Sequence, residues 1–414
     1  MNIKIGNSHI SGYILLFLVM ITPYLLPYYA NQLLTSSLIR MAITYSSMLL
    51  MFLFAVRNYR YVKSSLLLVV LLYVMMIIST VMNRADISSA ITESVKVILI
   101  CATISIVITK KSISWDFVLA VKYFTLFFWV IHIVLMFLYP RGIPMISQGR
   151  EVGYYLYGNV NSTIKYIFPG MCCCSLIDIK EERLTMGTLL FLFGILYQFF
   201  AIYHSATMIV AVFFIVMWLL CYNIIQPRMK QVYFIFLIAV LLLEVSIVVI
   251  TSIGFINMVT EFFNKSSDFS GRNILWQRIL YYIYKKPIWG YGMQDSAILQ
   301  SRIGNIYGSH NYFLDIIYQG GVIGGIIFLM FVIIPLVRIR KSVNTTDSTY
   351  IVIGYVCGFL LMFLMEPFYG LEFLYMPVLY AAIVLSGEKT RSDIVQRRVK
   401  FKRRISLHHN NAHM

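Results

Sequence analysis

Residues 232–252 read VYFIFLIAVLLLEVSIVVITS. The stretch holds one ionisable side chain, Glu244, and neither glycine nor proline. A run of about 20 apolar residues crosses the ~30 Å hydrocarbon core of a bilayer as a helix. Lipid offers the backbone no other way to satisfy its hydrogen bonds. The whole chain follows this pattern. Of 414 residues, 60% are hydrophobic and 12% charged, against about 45–50% and 25% in soluble domains. So little charge excludes a cytoplasmic enzyme, a nucleic-acid reader and a secreted disulfide scaffold. The fold class is an all-α polytopic membrane protein.

Hydropathy predicts about twelve transmembrane helices. Their spans are 11–30, 38–56, 64–82, 91–109, 116–139, 164–178, 186–202, 205–222, 232–252, 311–337, 350–366 and 368–386. Loop charge sets the orientation. With the N-terminus inside, the inner loops hold Lys4, Arg57, Arg60, Lys63, Lys110, Lys111, Lys180, Arg183, Arg228, Lys230, Arg338, Arg340 and Lys341. The short outer loops hold Arg84, Arg141 and Arg150. An even helix count then puts both termini in the cytoplasm. The net charge of +17 is therefore a topology signal, and no nucleic-acid partner is expected. The first apolar run lacks a small-residue cleavage site and reads as a retained helix. The six cysteines lie in or beside apolar runs without metal-ligand spacing, as small apolar residues do.

Four regions follow. Residues 1–252 form nine N-terminal helices with short loops, and 253–310 a large extracytoplasmic loop. Residues 311–386 form three C-terminal helices, and 387–414 a basic cytoplasmic tail suited to anionic lipid. A second long outer loop spans roughly 140–163. Loops longer than about 15 residues are usually functional.

The large loop has its own helix signal. Ser270 is a candidate N-cap, a helical run covers residues 271–286, and Pro287 stops it. Ile274, Leu275, Arg278, Tyr281 and Tyr282 recur at helical spacing, which predicts an amphipathic helix in the membrane interface. Most Trp and Tyr of the loop are expected in the interfacial belt. Lys265, Arg272, Arg278, Lys285, Lys286 and Arg302 face Glu261, Asp268 and Asp295. This basic excess outside invites an anion, and the arginine fork suits phosphate or diphosphate. His310 stands at the mouth of the tenth helix, beside Asn311, and a neutral imidazole suits a general base. Gly320, Gly321, Gly324 and Gly325 permit close packing further along that helix.

Ionisable residues at membrane depth are Arg40, Glu93, Lys96, Lys122, His132, Lys165, Glu244 and Glu366, and such residues default to functional readings. Glu93 and Lys96 are placed to pair on one helix. Lys122, His132 and Lys165 are candidates to line a cavity for a lipid diphosphate. Glu366 is a candidate partner of Arg272 or binder of an acceptor. The chain has no Asp-x-Asp, His-x-x-Glu-His, Walker A or Rossmann motif, so no metal or cofactor is expected.

Two stretches carry a family resemblance. Ser270-Gly271-Arg272, Trp276, Pro287 and Gly290-Tyr291-Gly292 precede His310-Asn311-Tyr312, Leu314 and Gly320-Gly321. This order resembles the O-antigen ligase and polysaccharide polymerase superfamily. Gly158-Asn159-Val160-Asn161-Ser162 looks like that family's Asn-x-Asn element. Where many members carry a central Ser-Arg pair, this chain reads His204-Ser205-Ala206-Thr207. His204, Lys165 or Arg150 would then supply the missing charge.

The resemblance implies a metal-independent GT-C-type glycosyltransferase in the bacterial inner membrane. Its donor would be an oligosaccharide on undecaprenyl diphosphate. Arg272 and His310 would be catalytic, on the diphosphate and on the acceptor hydroxyl. Arg278, Asn311, Asn159, Asn161 and Glu366 would bind substrate. Expected partners are that lipid-linked oligosaccharide, membrane lipids, a chain-length regulator and a flippase. The first reading is a polymerase of repeat units for O-antigen, capsule or exopolysaccharide. The second is a ligase that moves glycan to lipid A core. A flippase is the third, but it calls for two similar halves and short outer loops.

Overall fold

The computed structural model describes residues 2–5, 8–33, 36–64, 66–147, 150–158, 162–202, 206–253, 272–306, 308–338, 347–364 and 366. The chain opens with β1 (Asn2–Ile5) and β2 (Ser8–Ser11), an antiparallel pair. Ser11 then caps α1 (Gly12–Leu25), its hydroxyl accepting from the Tyr13 N–H at 3.2 Å. Next come α2 (Tyr28–Leu33), α3 (Ser37–Arg57), α4 (Leu66–Met82), α5 (Ile87–Thr109) and α6 (Lys111–Leu138). The loop after α6 carries a hairpin of β3 (Ile143–Ser147) and β4 (Arg150–Tyr154). Helices α7 (Thr163–Glu181), α8 (Met186–Tyr197), α9 (Ala206–Leu220), α10 (Tyr222–Ile225) and α11 (Met229–Ile253) follow. Helix α8 runs on as a π-turn over Gln198–Ile202. Past residue 271 come α12 (Arg272–Lys285), α13 (Ser296–Arg302), α14 (Tyr312–Arg338) and α15 (Asp347–Phe363).

Among the described residues, five helices are long and apolar enough to cross a membrane: Ser37–Arg57, Ile87–Thr109, Ser112–Leu138, Tyr222–Ile247 and Tyr312–Ile334. Gly12–Leu25, Leu66–Met82, Met186–Ile202, Thr207–Leu220 and Ser348–Phe363 are apolar but shorter. The twelfth expected span, 368–386, and the basic tail lie outside the described residues.

Contacts between connections gather at two ends. At one end the Tyr29 N–H donates to Leu156 O at 2.9 Å. There too Asn83 Nδ2 donates to Gly290 O at 3.1 Å, and the Met293 N–H to Thr80 Oγ1 at 2.9 Å. At the other end Ser11 Oγ donates to Asp116 Oδ2 at 3.0 Å and Lys110 Nζ to Asn58 Oδ1 at 3.2 Å. Lys180 lies 3.9 Å over the Trp115 ring, and Trp218 Nε1 donates to Tyr350 O at 3.0 Å.

Three features depart from the sequence reading. First, the loop after α6 contains the β3–β4 hairpin, which no hydrophobic run announces. Second, α14 is not one continuous helix. Gly321 takes φ 64° and ψ −171°, a conformation reserved for glycine. A Cβ there would stand 1.9 Å from Ile288 O. The segment Pro287–Gly292 docks into this break: Val322 N–H donates to Pro287 O at 2.8 Å, and the Tyr291 and Gly292 N–H groups donate to Tyr318 O and Gln319 O, each at 2.8 Å. The backbone groups freed by the break are thus satisfied by another segment, as lipid-depth irregularity requires.

Third, α12 buries a different stripe. Trp276 and Ile279 are buried with Tyr291, Leu299, Ile303, Leu314 and Tyr318, and Leu275, Leu280, Tyr282 and Ile283 pack against them. Ile274, Arg278 and Tyr281 are exposed. The helix is amphipathic, but its apolar face meets α13 and α14. The aromatic residues Trp276, Tyr291 and Tyr318 accordingly form core rather than belt.

Candidate active site

The site is built on the start of α14. Asn311 caps it: Oδ1 accepts from the Leu314 N–H at 3.0 Å. Its amide donates to Glu244 Oε2 of α11 at 2.9 Å. Both ends of this fully buried side chain are thereby engaged, and Asn311 anchors the helix start.

The turn before it is held from inside the same helix. Asp315 Oδ1 accepts from the Ser309 N–H at 2.9 Å and lies 2.9 Å from Ser309 Oγ. Gly308 passes so close that a Cβ there would meet Asp315 Oδ1 at 2.7 Å. His310 follows at φ 58°. A non-glycine residue in the left-handed region costs about 1–3 kcal/mol and persists where its surroundings over-determine it. Here the Asp315 network does so.

His310 Nε2 lies 3.1 Å from Asn305 Nδ2. The amide donates, so Nε2 accepts and the neutral ring carries its proton on Nδ1. Nδ1 is buried without a hydrogen-bond partner and faces Glu366 Oε2 at 3.7 Å. Glu366 stands three residues beyond the end of α15. Its other oxygen, Oε1, accepts from Arg272 Nη2 at 2.9 Å and from Thr207 Oγ1 at 3.1 Å. The first residue of α12, the second of α9 and the turn before α14 thus converge on one carboxylate.

Residues 189–329 match the O-Antigen ligase family model. The chain resembles the O-antigen ligase/polymerase superfamily. The match covers about a third of the chain; it takes in Thr207, Arg272, Asn305 and His310, while Glu366 lies beyond it. No curated protein and no solved structure matches the chain.

Other expected site residues go elsewhere. Arg278 is exposed, and its Nη1 donates to Ile303 O at 3.2 Å, which ties α12 to the end of α13. Arg302 stacks over Tyr291 at 4.8 Å, Lys286 over the same ring at 4.9 Å, and Lys285 over Tyr281 at 4.2 Å. Lys286 also bonds Asn83 Oδ1. Much of the loop's basic excess therefore meets aromatic faces. His132 is buried between Trp129 and Tyr157, with ring centroids at 5.2 and 5.0 Å, and its Nε2 lies 3.3 Å from Gln198 Oε1. Lys122 lies over Tyr123 and Lys165 over Tyr166. Glu93 and Lys96 form the expected pair at 3.2 Å. Asn159, Asn161, His204 and Ser270 lie outside the described residues.

Asn305, Thr207 and Asp315 did not stand out in the sequence as site residues. Asp315 had a signal, since it lies one turn inside the helix that His310 precedes. Below the site, α11 and α14 enclose an apolar cavity of about 240 Å³ lined by Leu237, Leu241, Phe313, Ile317, Val322 and Leu329, with Glu244 in its wall.

Proposed function

We propose that this protein is a metal-independent polysaccharide polymerase. It joins oligosaccharide repeats carried on undecaprenyl diphosphate at the outer face of the inner membrane. The observation that carries this reading is the convergence of Arg272, His310 and Glu366 within the region that resembles the superfamily, or just past it.

In the reaction the acceptor hydroxyl takes the place of the Asn305 amide and donates to His310 Nε2. Its oxygen attacks the anomeric carbon of the donor sugar. The bond from that carbon to the diphosphate oxygen breaks, and the diphosphate leaves with the electron pair. His310 takes the hydroxyl proton and becomes an imidazolium. Glu366, facing Nδ1, stabilises that cation, as a buried carboxylate does for a catalytic histidine. Arg272 is shared between Glu366 and the departing diphosphate, where its remaining N–H groups bind phosphate oxygens. Attack opposite the leaving group inverts the anomeric centre. The apolar cavity between α11 and α14 suits part of an isoprenoid chain.

A glycan gel of a deletion strain tests the reading. Loss of polymer with single repeats still on their final acceptor supports a polymerase. Full-length chains held on the carrier lipid mean a ligase. Repeats trapped at the inner leaflet mean a flippase.

A further inference from the structure

A second cavity lies at the same end of the helical body, between α1, α2, α3 and α5. Its volume is about 300 Å³, and its polar lining is Asn31, Arg40, Thr44, Tyr45, Thr92 and Lys96. A water needs only about 10–15 Å³ of such space, so the cavity admits a larger group. No lining residue is acidic. Thr44 and Thr92 spend their hydroxyl protons on their own helices, at Arg40 O and Ser88 O. That leaves Arg40, Lys96, Asn31 and the Tyr45 hydroxyl as donors. Lys96 Nζ meets Glu93 at 3.2 Å, but Glu93 is half exposed and does not line the cavity. Among the described residues, no carboxylate lies within ion-pair distance of Arg40.

The cavity borders an apolar surface. Helix α3 buries only Ser47, Met51 and Phe54. Leu38, Met41, Tyr45, Leu49, Phe52 and Leu53 are each at least 49% exposed. Met41 and Tyr45 belong to both the cavity wall and this face. A cationic recess that opens onto an apolar helix face is complementary to a phosphate head with hydrocarbon chains. A soluble anion would make no use of that face.

We infer that the α1–α3–α5 cavity binds the phosphate head of a lipid whose chains lie along α3. Arg40 holds the phosphate by charge-assisted hydrogen bonds, Lys96 adds charge, and Asn31 donates from the rim. Binding here is separate from transfer at His310. Helix α5 lies between, presenting Thr92 and Lys96 to the cavity while Ser94 meets Met293 Sδ of the outer loop at 3.9 Å.

The test uses the full-length protein, purified in neutral detergent, and native mass spectrometry with phosphatidic acid as the probe. The wild type should retain one tightly held phosphatidic acid. Arg40→Gln and Lys96→Gln should each weaken that adduct about tenfold, the worth of a charge-assisted hydrogen bond. Arg40→Lys should keep it, and Arg60→Gln, at the other end of α3, should leave it unchanged. A melting curve confirms that each variant is folded. Retention of the adduct in both Gln variants overturns the site. Displacement of the lipid by millimolar inorganic phosphate assigns the cavity to a soluble anion and overturns the lipid.

Discussion

Arg272 and Glu366 are 94 residues apart in the chain, and their side chains meet at 2.9 Å. The two oxygens of Glu366 divide their work: Oε1 takes Arg272 and Thr207, while Oε2 faces His310. The carboxylate is buried, with 8% of its side chain exposed. Removing one partner of a buried pair strands the other charge. The geometry of His310 and Arg272 therefore depends on a residue near the far end of the chain.

Glu366→Gln keeps the shape and removes the charge. It should cut transfer by about 10²–10⁴-fold, the range for losing a general base or its support. The protein should still insert in the membrane. Glycan length in a complemented deletion strain, with the protein level measured by blot, checks both.

Asp315 carries the turn that holds His310. Asp315→Ala leaves Ser309 without its acceptor, at a cost of about 1–3 kcal/mol, and releases the strained His310 backbone. Both the melting temperature and transfer should drop. Asn305→Ala should lower transfer, because it removes the amide that holds the outward nitrogen of the His310 ring.

Arg278 separates the site from its surroundings. Arg278 is an exposed residue whose Nη1 donates to Ile303 O in a part-buried hydrogen bond away from Glu366; such a bond contributes about 1.5–3 kcal/mol to the fold. Arg278→Gln should support nearly normal glycan length. Arg272→Gln should support none.

Gly321 tests the broken helix. Gly321→Ala places a methyl group against Ile288 O at a positive φ, where strain costs at least about 1–3 kcal/mol. The yield of folded protein in detergent should fall sharply, while Gly324→Ala, whose Cβ would meet Ile316 O at 3.7 Å in ordinary van der Waals contact, should be tolerated.

Much of this was legible in the sequence, for physical reasons. Apolar runs report helices directly, because lipid permits little else. Arg272, His310 and Glu366 stood out as ionisable groups at helix mouths. What stayed hidden depends on tertiary contact. The break at Gly321 reads as one more small residue until Pro287–Gly292 is seen docked into it. The stripe on α12 was misassigned because Ile274, Arg278 and Tyr281 match helical spacing as well as Trp276, Ile279 and Ile283 do. Asn311 looks like a ligand in sequence, and only the cap on Leu314 and the bond to Glu244 show its hydrogen-bonding groups engaged. Asn305 is one more polar loop residue until His310 is placed beside it.

The central claim is that Arg272, His310 and Glu366 act together on a lipid diphosphate. The most direct measurement mixes the full-length purified protein with a lipid-diphosphate-linked oligosaccharide and follows release of the lipid diphosphate together with lengthening of the glycan. Wild type should release one lipid diphosphate per linkage formed, with neither product from His310→Ala or Arg272→Gln and about 10²–10⁴-fold less of both from Glu366→Gln. Wild-type turnover in the folded His310→Ala protein would contradict the account.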